Sequence, residues 1–219
     1  MPTLQLALEM LKSDPEQFLN IYYLKVVGAG RNNRQIWYRF MAFEENRGLN
    51  GVNDWHFIRR HNDGGKDKKN FQLVPSWGQI QYSHFGELAF PVWHVPVVES
   101  TNITWNDIQR WEDIPRDGGS DIMVTTLLNA CSFVCVGMQD CVRMMHVQPS
   151  GGLTNYDVMQ RVSLIQGGQY CSAPFDYNPV TTEVTIIGIR RDRRWTVYAQ
   201  SHVRDGSFNI KAVWTVFDG

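Results

Sequence analysis

Long apolar runs are missing from this chain, and nothing approaches the roughly 18 to 20 consecutive apolar residues that a membrane-crossing helix requires. Charge of one sign is missing too. The formal net charge is −1 over 219 residues, so no global basic field favours nucleic acid or an acidic membrane surface. Cysteine is scarce: the four are Cys131, Cys135, Cys141 and Cys171, with no CxxC pair and no Cys/His cluster at zinc-finger spacing. A structural metal is therefore not expected, and reduced thiols are favoured over disulfides. The start, MPTLQLALEMLKSD, has neither a basic n-region nor a small-residue cleavage site, so it does not read as a secretory signal. The expected location is the producer's cytoplasm, with any export left to a specialised system. Repeats, low-complexity tracts and linkers are also absent, so 1–219 reads as a single domain with a helical appendage over 1–20.

What is present is an ordinary globular balance, 43% hydrophobic and 20% charged, in a chain long enough to bury a sizeable core. Eight tryptophans are the unusual component, readable either as core or as exposed anchors of a binding surface. Leu4, Ala7, Leu8 and Leu11 lie at helical spacing, and Asp14-Pro15 resembles a cap followed by proline at a first helical position. From Ile21 the pattern becomes strand-like: IYYLKVV, QIWYRFMAF, NFQLV, QIQYSHF and PVWHVPVV. His61 to Asn70 reads as a solvated loop. Thr104 and Asp107 predict a capped helix ending near Pro115, and Arg116 to Ser120 a turn. Thr154 to Gln166 predicts a second helix, stopped by Gly167-Gly168. TEVTIIGI, RWTVYAQSHV and SFNIKAVWTVF predict an antiparallel meander. The fold class is α+β, a strand-dominated twisted antiparallel sheet or β-sandwich with a few flanking helices.

Chemistry concentrates in VTTLLNACSFVCVGMQDCVRMMHVQP, Val124 to Pro149, which holds three of the four cysteines and His146. Two apolar runs flank Met138-Gln139, as in a tight hairpin. With those two residues as the loop, Gly137 opposes Asp140 and Cys131 opposes His146. Directly opposed residues share a face with Cβ atoms roughly 4.5–5.5 Å apart, close enough for imidazole to draw the proton from a thiol. A three-residue loop would remove that opposition. In the two-residue register Cys135 faces Val142 and Cys141 faces Val136, so both read as packing.

The same residues resemble the core of the bacterial Cys-His glutamine deamidases: the chemotaxis receptor deamidase, the cytotoxic necrotizing factor catalytic domain and the Burkholderia lethal factor. The matching features are Thr125, Leu127, Leu128, Cys131, the apolar strand Phe133 to Val136, His146 and Pro149, about 26 residues of the chain in all. Thr125 stands six residues before the cysteine, as in the chemotaxis and Burkholderia members. Asn129-Ala130 departs from the family's Ser-Gly or Gly-Ser. Outside this core the chain does not resemble the chemotaxis enzyme, and its divergence is closer to that of the toxin members.

The resemblance implies a deamidase-toxin-like fold and a cysteine-dependent amidohydrolase converting a protein glutamine to glutamate, with no metal or organic cofactor. Cys131 would be the nucleophile, His146 the base and then acid, and Thr125 the residue orienting His146, with backbone N–H groups including that of Cys131 holding the oxyanion. The implied partner is a protein bearing a reactive glutamine, and the implied setting a bacterial effector acting in another cell. Gln148, two residues beyond His146 on one strand face, is a candidate contact to the substrate amide. Thr126 is the register-shifted rival of Thr125. Transglutamination or thiol proteolysis by the same Cys-His pair remain open, as does a non-catalytic, Trp-rich β-sandwich binding sugar or peptide. His94 reads as a satisfied strand histidine, and His56, His61, His84 and His202 have no cysteine partner in the pattern. Arg190, Arg191, Arg193 and Arg194 form a basic hairpin tip, readable as a solvated turn or as a dock for an acidic partner.

Overall fold

The computed structural model describes residues 4–26, 35–43, 70–76, 88–100, 111–205 and 209–219. It opens with two helices, α1 (Leu4–Ser13) and α2 (Pro15–Ile21). Asp14 caps the second, its carboxylate accepting from Gln17 N at 3.1 Å, and Pro15 occupies the first turn, where no N–H is missed. Strands β1 (Tyr23–Val26), β2 (Gln35–Phe43), β3 (Asn70–Ser76), β4 (Leu88–Val95), β5 (Val97–Ser100), β6 (Glu112–Pro115) and β7 (Ile122–Thr125) follow. The hairpin β8 (Ser132–Gly137) and β9 (Cys141–Pro149) leads to α3 (Asn155–Ser163). The chain then forms β10 (Gly168–Ser172), β11 (Thr182–Arg191), β12 (Arg194–Val203) and β13 (Ile210–Asp218). The loop expected from His61, the strand expected at QIQYSHF and most of the helix expected from Thr104 lie outside the described residues.

The α+β, strand-dominated class holds, as two stacked sheets. One orders its strands β1-β3-β2-β4-β7-β11-β12-β13, the other β10-β8-β9-β5 with β6 also paired to β9. Both are mixed and not purely antiparallel: β1 with β3, β4 with β7 and β5 with β9 run parallel. The sequence PVWHVPVV is two strands. Pro96 has no N–H for a ladder, and the chain breaks there, β4 joining the large sheet and β5 the small one. Glu112–Pro115, expected as a helix end, is a strand laid antiparallel on β9. The C-terminal meander forms as expected, with Asp192 and Arg193 at positive φ in a two-residue hairpin turn.

Between the sheets lies a core that takes Met123, Val184, Ile186, Trp195 and Phe217 from one side and Cys131, Phe133, Cys135 and Met144 from the other. Strand alternation sends Ile122, Val124, Ile187 and Ile189 to the opposite face, against Ala7, Leu11, Phe18 and Leu19 of the two N-terminal helices. α3 covers the outer face of the small sheet through Val158 and Val162. The order is helices, sheet, sheet, helix. Trp195 is wholly buried, its indole N–H donating to Pro115 O at 2.9 Å, while Trp93 and Trp214 pack partly buried on the same core. Arg190 is not a solvated tip residue: it is drawn inward to pair with Asp121 at 2.9 Å, over the Trp195 ring. Arg193 and Arg194 do face solvent, in exposed pairs with Asp117 and Asp218. No described helix is long and apolar enough to cross a membrane.

Buried side chains of the large sheet tie the N-terminal segment down, Thr185 donating to Leu24 O at 2.7 Å and Gln200 making three bonds. Gln200 accepts from Leu24 N at 2.9 Å and donates to Leu19 O and Tyr22 O at 2.6 and 2.8 Å, with no exposure to water. Gln200→Leu leaves those three backbone groups without their partner, so a loss of about 3 kcal/mol is expected in urea denaturation, since each unmet buried group costs roughly 1–3 kcal/mol. A change below about 1 kcal/mol would show that the amide is not the tie described here.

Candidate functional site

The hairpin holding the candidate nucleophile turns one residue later than the sequence pattern predicts. Met138 N donates to Cys141 O at 2.9 Å, so Gln139 and Asp140 form the loop, and Phe133, not Cys131, is paired with His146. The cause is tertiary. β6 pairs with β9 as far as Cys141, Arg116 N donates to Asp140 O at 3.0 Å, and Arg116 Nε donates to Met138 O at 3.0 Å. Together they pin the turn where local pattern alone allowed another. Moving the loop by one residue shifts the register by two, and a two-residue shift preserves the face. Cys131 and His146 therefore still point into the space between the sheets, as diagonal neighbours roughly 7–8 Å apart at Cα. Continuing the ladder one step sets Gln148, which is exposed, across from Cys131.

Thr125 and His146 meet from opposite sheets. Thr125 lies on β7 on the inward side, fixed by its pairing with Val95 of β4. Its Oγ1 donates to Val95 O at 2.7 Å and lies 2.8 Å from His146 Nδ1. A hydroxyl has one proton, and the Val95 carbonyl takes it. The Nδ1 nitrogen must then carry its own hydrogen and donate to Thr125, which leaves the lone pair on Nε2. Nε2 is buried and has no hydrogen-bond partner among the described residues. Burial, and secondarily the neighbouring His94, lower the His146 pKa to about 3; burial alone lowers that of His94 to about 4. His146 is thus a neutral base at physiological pH. Thr126 is half-buried, and the hydroxyl bonded to the imidazole is that of Thr125.

Cys131 is 6% exposed and follows Ala130, which adopts φ +62°, the left-handed region that glycine would enter without strain. Three side chains hold this elbow. Asn155 donates through Nδ2 to Ala130 O at 3.0 Å and accepts from Ser132 Oγ at 2.7 Å. Ser132 and Ser172 hydroxyls meet at 2.6 Å. The Tyr177 hydroxyl accepts from Cys131 N at 3.0 Å and donates to Cys131 O at 2.9 Å. The backbone N–H expected to hold an oxyanion is therefore already bonded, to the Tyr177 hydroxyl. The thiol donates to Asn129 O at 3.4 Å and not to His146, and burial raises its pKa. In this state the site holds a protonated thiol beside an unoccupied base.

Asn155, Ser172 and Tyr177 escaped the sequence reading. Thr154 and Asp157 form a full capping box, the one local signal that a helix N-terminus would deliver Asn155 to a set place. Cys135 and Cys171 are buried packing; Cys141 is half-buried beside Pro115 of β6, and all four thiols are free. His202 is buried on β12 between Glu183 and Thr185, far from any cysteine in the ladder, and His56, His61 and His84 lie outside the described residues. Among the described residues no group of three or more His, Cys, Asp and Glu could hold a metal ion.

The tautomer is directly measurable. Nitrogen NMR of imidazole-labelled protein near pH 7 should show Nδ1 protonated and Nε2 bare at His146, with the preference lost in Thr125→Val. An Nε2–H form in the wild type would refute the assignment. His146, His94 and His202 have folded pKa values of about 3, 4 and 4, below the usual 6.5. Between pH 6.5 and about 4 the unfolded chain binds more protons at these sites, so their contribution to stability falls as pH falls through that window. Urea midpoints that do not change between pH 7 and pH 5 would contradict this. No protein-family model matches the chain, and no curated protein matches it.

Proposed function

We propose that this protein is a protein glutamine deamidase, with Cys131 as nucleophile, His146 as general base and acid, and Thr125 as the residue that orients the imidazole. The observation that carries this reading is the Thr125–His146 bond, which leaves a buried, neutral Nε2 lone pair on the face of the sheet that Cys131 shares. The core resemblance supplies the reaction class, and the geometry supports it.

The chemistry follows from the parts. Rotation of the Cys131 side chain exchanges Asn129 O for His146 Nε2, which takes the thiol proton. Sulfur attacks the carboxamide carbon of a glutamine side chain, and the oxygen gathers negative charge. Cys131 N–H becomes available to that oxygen when it displaces the Tyr177 hydroxyl, a hydrogen-bond exchange at one site. The His146 imidazolium then protonates the departing nitrogen, and ammonia leaves a thioester. Water, deprotonated by the same Nε2, hydrolyses the thioester to glutamate and restores the thiol. Gln148, across from Cys131, is placed to contact the carboxamide in this scheme.

Incubation with glutamine-containing proteins should release ammonia, with amide-to-acid conversion seen by mass spectrometry. Cys131→Ser should abolish both; a variant that kept the activity would defeat the assignment. Thr125→Val should lower kcat by about 10- to 100-fold through loss of the correct tautomer, with Thr125→Ser restoring most of it. Products joined to an amine, or cut backbone, would redirect the same thioester chemistry to transglutamination or proteolysis.

A further inference from the structure

The residues that hold the Cys131 elbow also present two aromatic rings beside it. Tyr156 and Phe175 are 51% and 52% exposed, and their ring centroids lie 6.2 Å apart at a 40° tilt. Tyr156 directly follows Asn155, whose amide is bonded to Ala130 O. Phe175 lies between Ala173, whose N–H donates to Cys131 O at 3.4 Å, and Tyr177, whose hydroxyl holds both Cys131 N and O. Both rings are therefore within two residues of groups bonded to the nucleophile or its predecessor. Asn129 and Ala130 are themselves exposed, so the rings border the surface from which Cys131 would be approached.

Half-exposed aromatic rings are unfavourable in water, yet here two touch, on elements whose neighbouring residues are fully bonded. The adjacent carboxylates are already occupied: Asp176 accepts from Ser172 N at 2.7 Å, and Asp157 from Thr154 N at 2.7 Å. What the two rings themselves offer a ligand is an apolar face. Free glutamine, with an ammonium and a carboxylate next to its side chain, suits it poorly. A glutamine within a polypeptide, flanked by apolar side chains, suits it well, because an extended chain carries each neighbour only about 3.3–3.6 Å further along.

We infer that Tyr156 and Phe175 form the docking platform for an apolar side chain next to the reactive glutamine of a polypeptide substrate, which makes them specificity-determining residues. This rests on the deamidase reading of Cys131 and His146 and adds the sequence context of the substrate. The rings act on binding and not on the bond-making steps, so their removal affects KM and leaves kcat in place.

The test uses two blocked pentapeptides, acetyl-Gly-Leu-Gln-Leu-Gly-amide and acetyl-Gly-Ser-Gln-Ser-Gly-amide, with ammonia release as the readout. A glutamine-mimicking diazoketone, with mass mapping of the labelled residue, reports separately on Cys131. Wild type should favour the leucine peptide by about tenfold in kcat/KM, the equivalent of about 1.4 kcal/mol. The Tyr156→Ala, Phe175→Ala double variant should lose that preference by raising KM, with kcat for the serine peptide within about twofold of wild type. Tyr156→Phe should retain the preference. Near-ultraviolet circular dichroism checks the fold, and Phe175→Ser alone carries the test if the double variant fails to fold. Equal turnover of both peptides, a preference that survives the double variant, or Cys131 labelling without turnover of either peptide overturns the platform while leaving the nucleophile standing. No labelling and no ammonia overturns the deamidase reading, and the platform with it.

Discussion

The bond between Thr125 and His146 joins two sheets through an apolar core, and the arrangement around it follows from the need to satisfy it. An imidazole with no exposure to water is tolerable there only if neutral and hydrogen-bonded. Thr125 meets that need from the facing sheet, and its own proton has one destination, the Val95 carbonyl. The parallel pairing of β4 with β7 brings that carbonyl within reach. A chain of three groups thereby sets which imidazole nitrogen is bare. The same burial makes the group costly to protonate, lowers its pKa and keeps the imidazole neutral.

The left-handed elbow at Ala130, just before Cys131, is a second constraint, met by different means. Ala130 in the left-handed region costs about 1 kcal/mol relative to glycine, and such a conformation persists only where the surroundings over-determine it. Asn155 and Tyr177 grip the chain on either side, and Ser132 links that grip to Ser172. The grip also holds the thiol on Asn129 O and closes the Cys131 N–H with the Tyr177 hydroxyl. The thiol, the imidazole and the Cys131 N–H are thus present but unjoined, and the proposed chemistry joins them by side-chain rotation and exchange of hydrogen bonds.

The elements written in local pattern were legible. β2 has the bounds of the aromatic run QIWYRFMAF, Asp14-Pro15 starts α2, and the apolar spacing after Thr154 marks α3. Elements decided by distant partners were not. Pro96 splits one apolar run between two sheets because β5 finds β9, and Glu112–Pro115 becomes a strand because β9 offers it an edge. Parallel pairings such as β4 with β7 leave no local mark, since their strands are separated by long connections. Tyr177, forty-six residues beyond Cys131, could not be tied to it by spacing alone.

Strand alternation alone sets the face on which each chemical group stands. Alternation along β8 and β9 sends Cys131, Phe133 and His146 inward in any register that differs by an even number of residues, and Thr125 inward with Met123. The residue types at those positions also delimited the chemistry to a thiol, an imidazole and a hydroxyl. Only the tertiary structure decided which residue faces which. The hairpin's own residues allow a turn at Met138-Gln139 or at Gln139-Asp140, and the choice is made by Arg116 and β6, which bond to one of them. Local steric alternation has a fixed period, whereas register is an energy difference between whole ladders, and the deciding bonds come from strands remote in sequence.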